Sequence, residues 1–341
     1  MTSKPKNSLQ LCTRCILPET FPGISFDKEG VCNHCRREEK ALAKSPEKKA
    51  SYRDRLDTLI ADIKGKFPAY DAVMAYSGGK DSSYTLKLLK ERYGLRILAV
   101  TFDNHFVSPM AWKNISTVTD ALSVDHMSFR PPWTVAKAMF TRTAQEDIFP
   151  APTLLRASAV CTACIGLVKN IVLKSALEMS VPMVAFGWSP GQAPIQSAIM
   201  KTNPGLTKQS MKALKNAFPE GMADEMGQYF IPDAYFEKFK DSFPYNVHPL
   251  AFFDYDEEAI KEELKAMGWQ APSDTDTNST NCLLNAFANQ CHIQRHRFHP
   301  YVWEIANMVR QGVMTREEGI EKIYSDQNHE MVEYAKERLG L

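Results

Sequence analysis

The sequence predicts an α/β protein: a parallel sheet flanked by helices, preceded by a small cysteine-organised module and followed by a helical region. Three observations predict it. Short apolar runs alternate with helical patterns from Asp71 to Gly187, and strands that alternate with helices pair in parallel because each helix carries the chain back across the sheet. Ahead of them, two Cys-x-x-Cys pairs stand in a stretch with little apolar periodicity. Beyond Asp254 the pattern is helical to the end.

The bulk numbers bound the rest. A chain of 341 residues has room for two or three domains. Its 44% hydrophobic and 24% charged residues are the balance of a soluble globular protein. A net charge of +1 argues against a protein held on a nucleic-acid backbone. No run reaches the ~18–20 apolar residues of a membrane span, and no apolar stretch of a signal peptide follows the first residues. The expected compartment is the cytoplasm, where thiols stay reduced. There the eight cysteines, six of them in three Cys-x-x-Cys pairs, argue for metal or sulfur chemistry rather than disulfides.

In chain order, residues 1–45 form the cysteine module. Cys12-x-x-Cys15 and Cys32-x-x-Cys35 have the spacing of a tetrahedral structural Zn²⁺ site, with four-thiolate iron as the lesser alternative. The segment is rich in turn formers, so it needs a metal as a staple. Residues 46–70 read as a charged helical connector. Residues 71–200 hold the sheet, with strands at Ala72–Tyr76, Arg96–Phe102, His126–Phe129 and Met183–Gly187. Residues 201–245, rich in Lys, Met and Phe, read as a helical insertion without a strand. Residues 246–341 are the helical region, with a capping box at Thr315-Arg316-Glu317-Glu318.

Chemistry concentrates at Tyr76-Ser77-Gly78-Gly79-Lys80-Asp81-Ser82-Ser83, between a strand and a helix. Two glycines let the backbone approach an anion, and the helix N-terminus offers unpaired N–H groups and a positive dipole end. Ser77, Ser82 and Ser83 add hydroxyls and Lys80 a cation. The spacing is not that of a Walker A loop. A second group is Cys161-Thr-Ala-Cys164, just before a helix over 164–180, where thiolates have lowered pKa values and serve as ligands or nucleophiles. Cys282 could complete a set of three, with Cys291 nearby; three thiolates can hold a 4Fe–4S cluster with one iron open. Gly187-Trp188-Ser189-Pro190-Gly191-Gln192 follows a strand and so lies at the ligand edge of the sheet. The run His292 to His299, with Arg295 and Arg297, reads either as a phosphate-binding stretch or as a solvated helix end.

The loop resembles the PP-loop of the ATP pyrophosphatase superfamily, pattern Ser-Gly-Gly-x-Asp-Ser. That resemblance implies a Rossmann-like sheet of the HUP type and cleavage of ATP to AMP and pyrophosphate with Mg²⁺. It implies ATP binding by Tyr76 to Ser83, by Thr101, Phe102 and Asp103 at the end of the second strand, and by Gly187, with Lys80 and Asp81 catalytic. Two families within it are similar over most of the chain. The N-acetyl sugar amidotransferases share Cys12-Thr-Arg-Cys15-Ile-Leu-Pro, Phe26-Asp27-Lys28-Glu29-Gly30-Val31-Cys32-Asn33-His34-Cys35 and the stretch Val309 to Glu318. They use ammonia from a glutaminase partner. Thiolating enzymes of the two-thiouridine synthase type share the order of zinc module, loop, central Cys-x-x-Cys and one later cysteine. In that reading Cys161 and Cys164 are catalytic and, with Cys282, hold the cluster. The thiolating enzymes have Gly-His with an acidic pair nearby where this chain has Gly187-Trp188. That difference and the near-neutral charge count against tRNA. The expected acceptor is a small molecule, a nucleotide-activated sugar among the candidates, with a sulfur donor or a glutaminase as partner. Sulfur is the leading expectation, ammonia the second, and a redox-sensing nucleotide-binding regulator a third.

Overall fold

Six strands, β1 (Ala72–Ala75), β2 (Ile97–Phe102), β3 (Asp125–Phe129), β4 (Met183–Phe186), β5 (Ile199–Lys201) and β6 (Tyr245–Val247), form one sheet in the order β3-β2-β1-β4-β6-β5. The computed structural model describes residues 9–222, 226–275, 279–325 and 328–341, and only the backbone of 40–43. All neighbouring strands are parallel except β5, which runs antiparallel to β6. The chain steps outward from β1 to β2 to β3, then returns to the other side of β1 as β4. The strand order therefore reverses between β1 and β4, and ligands of open α/β sheets bind beyond the strand ends at such a reversal.

Period-two alternation splits the strands between two cores. Ala72, Met74, Ile97, Ala99, Met183 and Ala185 face the helices Ser45–Ile63, Lys80–Lys87 and Pro109–Leu122. Val73, Leu98, Val100, Val184 and Phe186 face Trp133–Gln145, Ala159–Glu178, Asn285–His296 and His329–Leu339. Local chemistry starts several of these helices. Ser108 accepts a hydrogen bond from the Ala111 amide with Pro109 next to it, and Thr315 and Glu318 form the expected capping box.

The structure departs from the sequence expectations in four places. The 201–245 region is bracketed by two strands, β5 and β6, which add an edge to the sheet. Residues 45–63 do more than connect: Tyr52, Leu56, Leu59, Ile60 and Ile63 are buried against the sheet layer. The central helix begins at Ala159, so Cys161 and Cys164 lie inside its first turns instead of ahead of it. That helix is also long and apolar enough by composition to cross a membrane, against the expectation that no run qualifies. It reads that way because it is a core helix, covered by the sheet on one side and by helix Asn285–His296 on another.

The N-terminal module is joined to the helical region through a third core. Ile16, Leu17 and Phe21 are buried with Phe298, Val302, Ile305, Met308 and Ile323. The His292–His299 stretch is mixed: Arg297 is exposed at the helix end, while other residues turn inward. His292 and His299 are buried, and Arg295 is engaged with Asp147 and the Ala144 carbonyl. Part of the polar run leading to Cys282, residues 276–278, lies outside the described residues.

Candidate active site

Loop 77–82 leaves the end of β1 and opens helix Lys80–Lys87 at the point where the strand order reverses. Gly78 has φ +72°, and a Cβ there would lie 2.5 Å from the Ala111 carbonyl oxygen. Only glycine fits. The Gly78 carbonyl accepts from Trp269 Nε1 at 3.0 Å. Gly79 is the helix N-cap and supplies no side-chain cap, so the amides of this helix start are left to partners from outside the loop, as at an anion-binding terminus. Ser77 Oγ and Ser82 Oγ lie 3.0 Å apart.

The charged residues of the loop are held from the C-terminal region. Lys80 is 7% exposed. Its ammonium lies 2.6 Å from Tyr255 Oη, 3.1 Å from Glu257 and 3.4 Å from Asp81. Tyr255 Oη in turn donates to Asp81 at 2.7 Å. Burial works against ionising Glu257, but Lys80 and Lys322 outweigh it and hold the carboxyl at about 2. The segment Ser279–Cys282 lies across the loop as a strap. The Lys80 amide donates to Thr280 Oγ1 at 3.1 Å, and a Cβ on Gly79 would lie 2.8 Å from that oxygen. The strap is fixed to the loop after β2 by Ser108 N–H to the Asn281 carbonyl and by a bridge between Val107 and Cys282.

The other residues expected around ATP have structural partners. Tyr76 and Ser83 are buried and hydrogen-bonded to each other. Thr101 donates to the Tyr76 carbonyl and is bonded to His126, and Phe102 sits in the core. Asp103 accepts from the His105 amide and pairs with Arg130. Gly187 packs on the loop itself: a Cβ there would lie 2.4 Å from Ser82 Cα.

The strap also brings Cys282 to the central helix. Asn104 Nδ2 lies 3.7 Å from Cys164 Sγ and 3.5 Å from Cys282 Sγ, so one amide serves two sulfurs. Cys161 joins this corner through the Ser158-capped first turn. The expectation of lowered thiol pKa values at this helix start is corrected. Burial pushes Cys161 up to about 11, with the Ser158 hydrogen bond pulling the other way, and also raises Cys164 and Cys282. Enclosure outweighs the helix dipole here. Cys291 has Arg295 and Lys336 as its charged neighbours.

Beside Cys161 opens a cavity of about 730 Å³. Glu304 lines it, accepts a hydrogen bond from Ser189 Oγ, and lies within electrostatic reach of Asp81 and Lys80. Burial, with a smaller push from Asp81, raises Glu304 to about 7 against the hydrogen bonds from Ser189 and Gln192. The 188–192 loop thus reaches the ligand edge as expected. Tyr255, Glu257, Thr280, Asn104 and Glu304 were not foreseen; their partners are distant in sequence and no local pattern marks them.

In the N-terminal module, Cys12, Cys15, Cys32 and Cys35 converge. Their sulfurs lie within 4.8 Å of one another, a set that could hold a metal ion. Among the described residues this is the one group of three or more His, Cys, Asp or Glu found to have the spacing of a metal site. The amides of Cys15 and Cys32 point at Cys12 Sγ, and Arg310 at Cys15 Sγ.

The chain matches no protein-family profile. It is 22% identical over 308 residues, 90% of each chain, to the uncharacterized protein MJ1599 of Methanocaldococcus jannaschii. Among solved structures it is similar to the U34-tRNA thiolase NcsA of Methanococcus maripaludis with its 4Fe–4S cluster. The identity there is 15% and the TM-score 0.36, over 97% of this chain and 87% of that one. It is also similar to the NMN synthetase of Francisella tularensis, at 14% identity and TM-score 0.31, over 73% of this chain and 94% of that one. These likenesses are loose, and the site stands on its own geometry.

Proposed function

We propose that this chain is a PP-loop ATP pyrophosphatase that adenylates a carbonyl oxygen of an acceptor and exchanges that oxygen for sulfur. The observation that carries the reading is the Ser-Gly-Gly-Lys-Asp-Ser turn that opens a helix at the strand-order reversal, crossed by the strap that carries Cys282. In the first step the acceptor's carbonyl oxygen attacks the α-phosphorus of ATP, the bond to the β-phosphate oxygen breaks, and pyrophosphate leaves. Loop amides, Ser77, Ser82 and Lys80 stabilise the charge that builds on the departing oxygens. In the second step sulfide adds to the activated carbon, and AMP departs with the original oxygen. Adenylation makes a poor leaving group a good one.

Bound Mg²⁺ supplies neutralising charge to the phosphates, and Asp81, whose side chain is 27% exposed beside the loop, is suited to hold it. Cys161, Cys164 and Cys282 would hold a 4Fe–4S cluster, which supplies a carrier for sulfide through an open iron. Their enclosure and the shared Asn104 amide support that fit. For the N-terminal four, sulfur separations of 3.8 and 3.9 Å match the edge of a tetrahedron with Zn–S bonds of about 2.3 Å, which supports structural Zn²⁺.

Pyrophosphate release with ATP and candidate acceptors tests the first step. Asp81→Asn and Ser77→Ala should each abolish it, and release of ADP and orthophosphate instead would refute the reading. The spectrum and the iron content of anaerobically purified protein test the second step. A colourless, iron-free, active protein would make ammonia the incoming atom.

A further inference from the structure

Residues Tyr255 to Glu257 reach the 77–82 loop from the C-terminal side. Asp256 caps helix Glu257–Lys265, its side chain accepting from the Glu258 and Ala259 amides. Tyr255 and Glu257 flank that cap, and both meet the Lys80 ammonium. The helix behind them is fixed against the loop's own helix. Ile260 and Leu264 share a core with Leu86 and Leu89, and Glu263 pairs with Lys87 at 2.9 Å. Ion pairs at both ends, Lys80–Glu257 and Lys87–Glu263, therefore set how the two helices lie together.

The contacts divide by atom. Tyr255 Oη and the Lys80 ammonium both lie on Oδ1 of Asp81, at 2.7 and 3.4 Å. Glu257 turns Oε2 to Lys80 at 3.1 Å and Oε1 to Lys261 at 3.1 Å and Lys322 at 3.3 Å. One carboxylate thus joins the loop lysine to a cation from another helix. The four side chains are 8–29% exposed, so these pairs are screened less than surface ones. Lys322 stands on helix Arg316–Tyr324, and both ends of that helix are tied to the cysteine module. Arg316 Nε donates to the Cys12 and Cys15 carbonyls at 3.2 and 3.0 Å, and Tyr324 Oη to the Ile16 carbonyl at 2.8 Å. Module, helix, Glu257 and Lys80 are joined by an unbroken run of contacts.

We propose that Glu257 is a positioning residue for Lys80 in nucleotide binding, and that Lys322 sets Glu257 from the helix docked on the cysteine module. A lysine loses rotamer freedom when it grips a phosphate. One already held by Tyr255 and Glu257 has lost that freedom on folding, so binding loses less to ordering it. An ammonium has three hydrogens; Tyr255 and Glu257 take two, and the third is left for an oxygen of the nucleotide. The inference rests on the reading of the loop as the ATP site.

The test measures binding of α,β-methylene-ATP with Mg²⁺ to the full-length protein by calorimetry. Glu257→Gln and Lys322→Met should each weaken it about tenfold, and the double variant should bind no worse than Glu257→Gln, since both changes act through one carboxylate. Lys322→Arg should keep the affinity of the parent. Arg316→Met, which frees the helix from the module, should weaken binding about threefold. Thermal unfolding is read on every variant, and Lys322→Gln replaces Lys322→Met if the latter does not fold. Lowered midpoints with unchanged affinity, the mark of a merely structural role, would overturn the proposal. Additive losses in the double variant or unchanged affinity in Arg316→Met would do so too. Tighter binding by Glu257→Gln would show instead a carboxylate that competes with phosphate for Lys80, and would also overturn it. A parent protein that does not bind the analogue at all would remove the ATP site, and this inference with it.

Discussion

Gly187 illustrates how a single residue can be needed without touching a ligand. Its φ is not in the left-handed region, yet an added Cβ would meet Ser82 Cα at 2.4 Å, Ser82 N at 2.7 Å and the Asp81 carbonyl oxygen at 2.8 Å. These are backbone atoms of the loop and cannot step aside. Gly187→Ala should cost on the order of 1–3 kcal/mol and weaken α,β-methylene-ATP binding at least tenfold by displacing the loop. Gly227→Ala, with nothing within 4 Å, is the control that should leave affinity unchanged; calorimetry and thermal unfolding read both. Glu304 gives a pH signature. Its carboxyl is raised from about 4.5 to about 7, so the folded state binds its proton more tightly than the unfolded chain. Its contribution is fully present at low pH and is lost as pH rises from about 4.5 to about 7. Glu304→Gln should therefore be more stable than the parent above pH 7, by up to about 3 kcal/mol, with the advantage vanishing near pH 4.5. Urea unfolding across that range checks the sign. The sequence made the loop legible because glycines, hydroxyls and a strand–helix junction sit together. Glu304 was not legible, because its neighbours Ser189 and Asp81 lie 115 and more residues away.

The elements most easily read were those with local chemistry of their own. The helix behind Ser108 and Pro109 and the helix behind Thr315 announce their starts through caps. β5 and β6 did not, since three residues each are too few for alternation to show, and their pairing joins Ile199 to Val247 across a long excursion. The cysteine module was legible in its ligands but not in its neighbours. Its apolar residues share a core with Val302, Ile305 and Met308, and Arg316 donates to the Cys12 and Cys15 carbonyls. Cys12→Ser should thus abolish one equivalent of bound metal and destabilise the protein by a few kcal/mol. It should also increase hydrogen exchange in helix Val302–Arg310. Exchange unchanged in that helix would show that the module and the helical region do not support each other.

Across the whole molecule, the thiol site is assembled from three separate stretches: the central helix, the strap and the turn holding Asn104. If the three thiols bind one cluster, Cys161→Ala, Cys164→Ala and Cys282→Ala should each lose the brown colour of an iron–sulfur centre. Cys291→Ala should keep it, because its charged neighbours are Arg295 and Lys336. Iron content measured on all four variants decides between one shared group and independent cysteines. Asn104→Ala should leave the colour while shifting the reduction potential, since hydrogen bonds to sulfur tune such centres.

The strap has a consequence for how such a protein can be altered by exchange of parts. Thr280 meets the Lys80 amide, and Cys282, two residues on, meets Asn104. A chimaera joining residues 1–270 of this chain to the last third of a relative would receive the cover of its 77–82 loop and its third thiol on one inherited piece. The two ends of the chemistry would be kept or lost together, and neither could be retuned by grafting without disturbing the other.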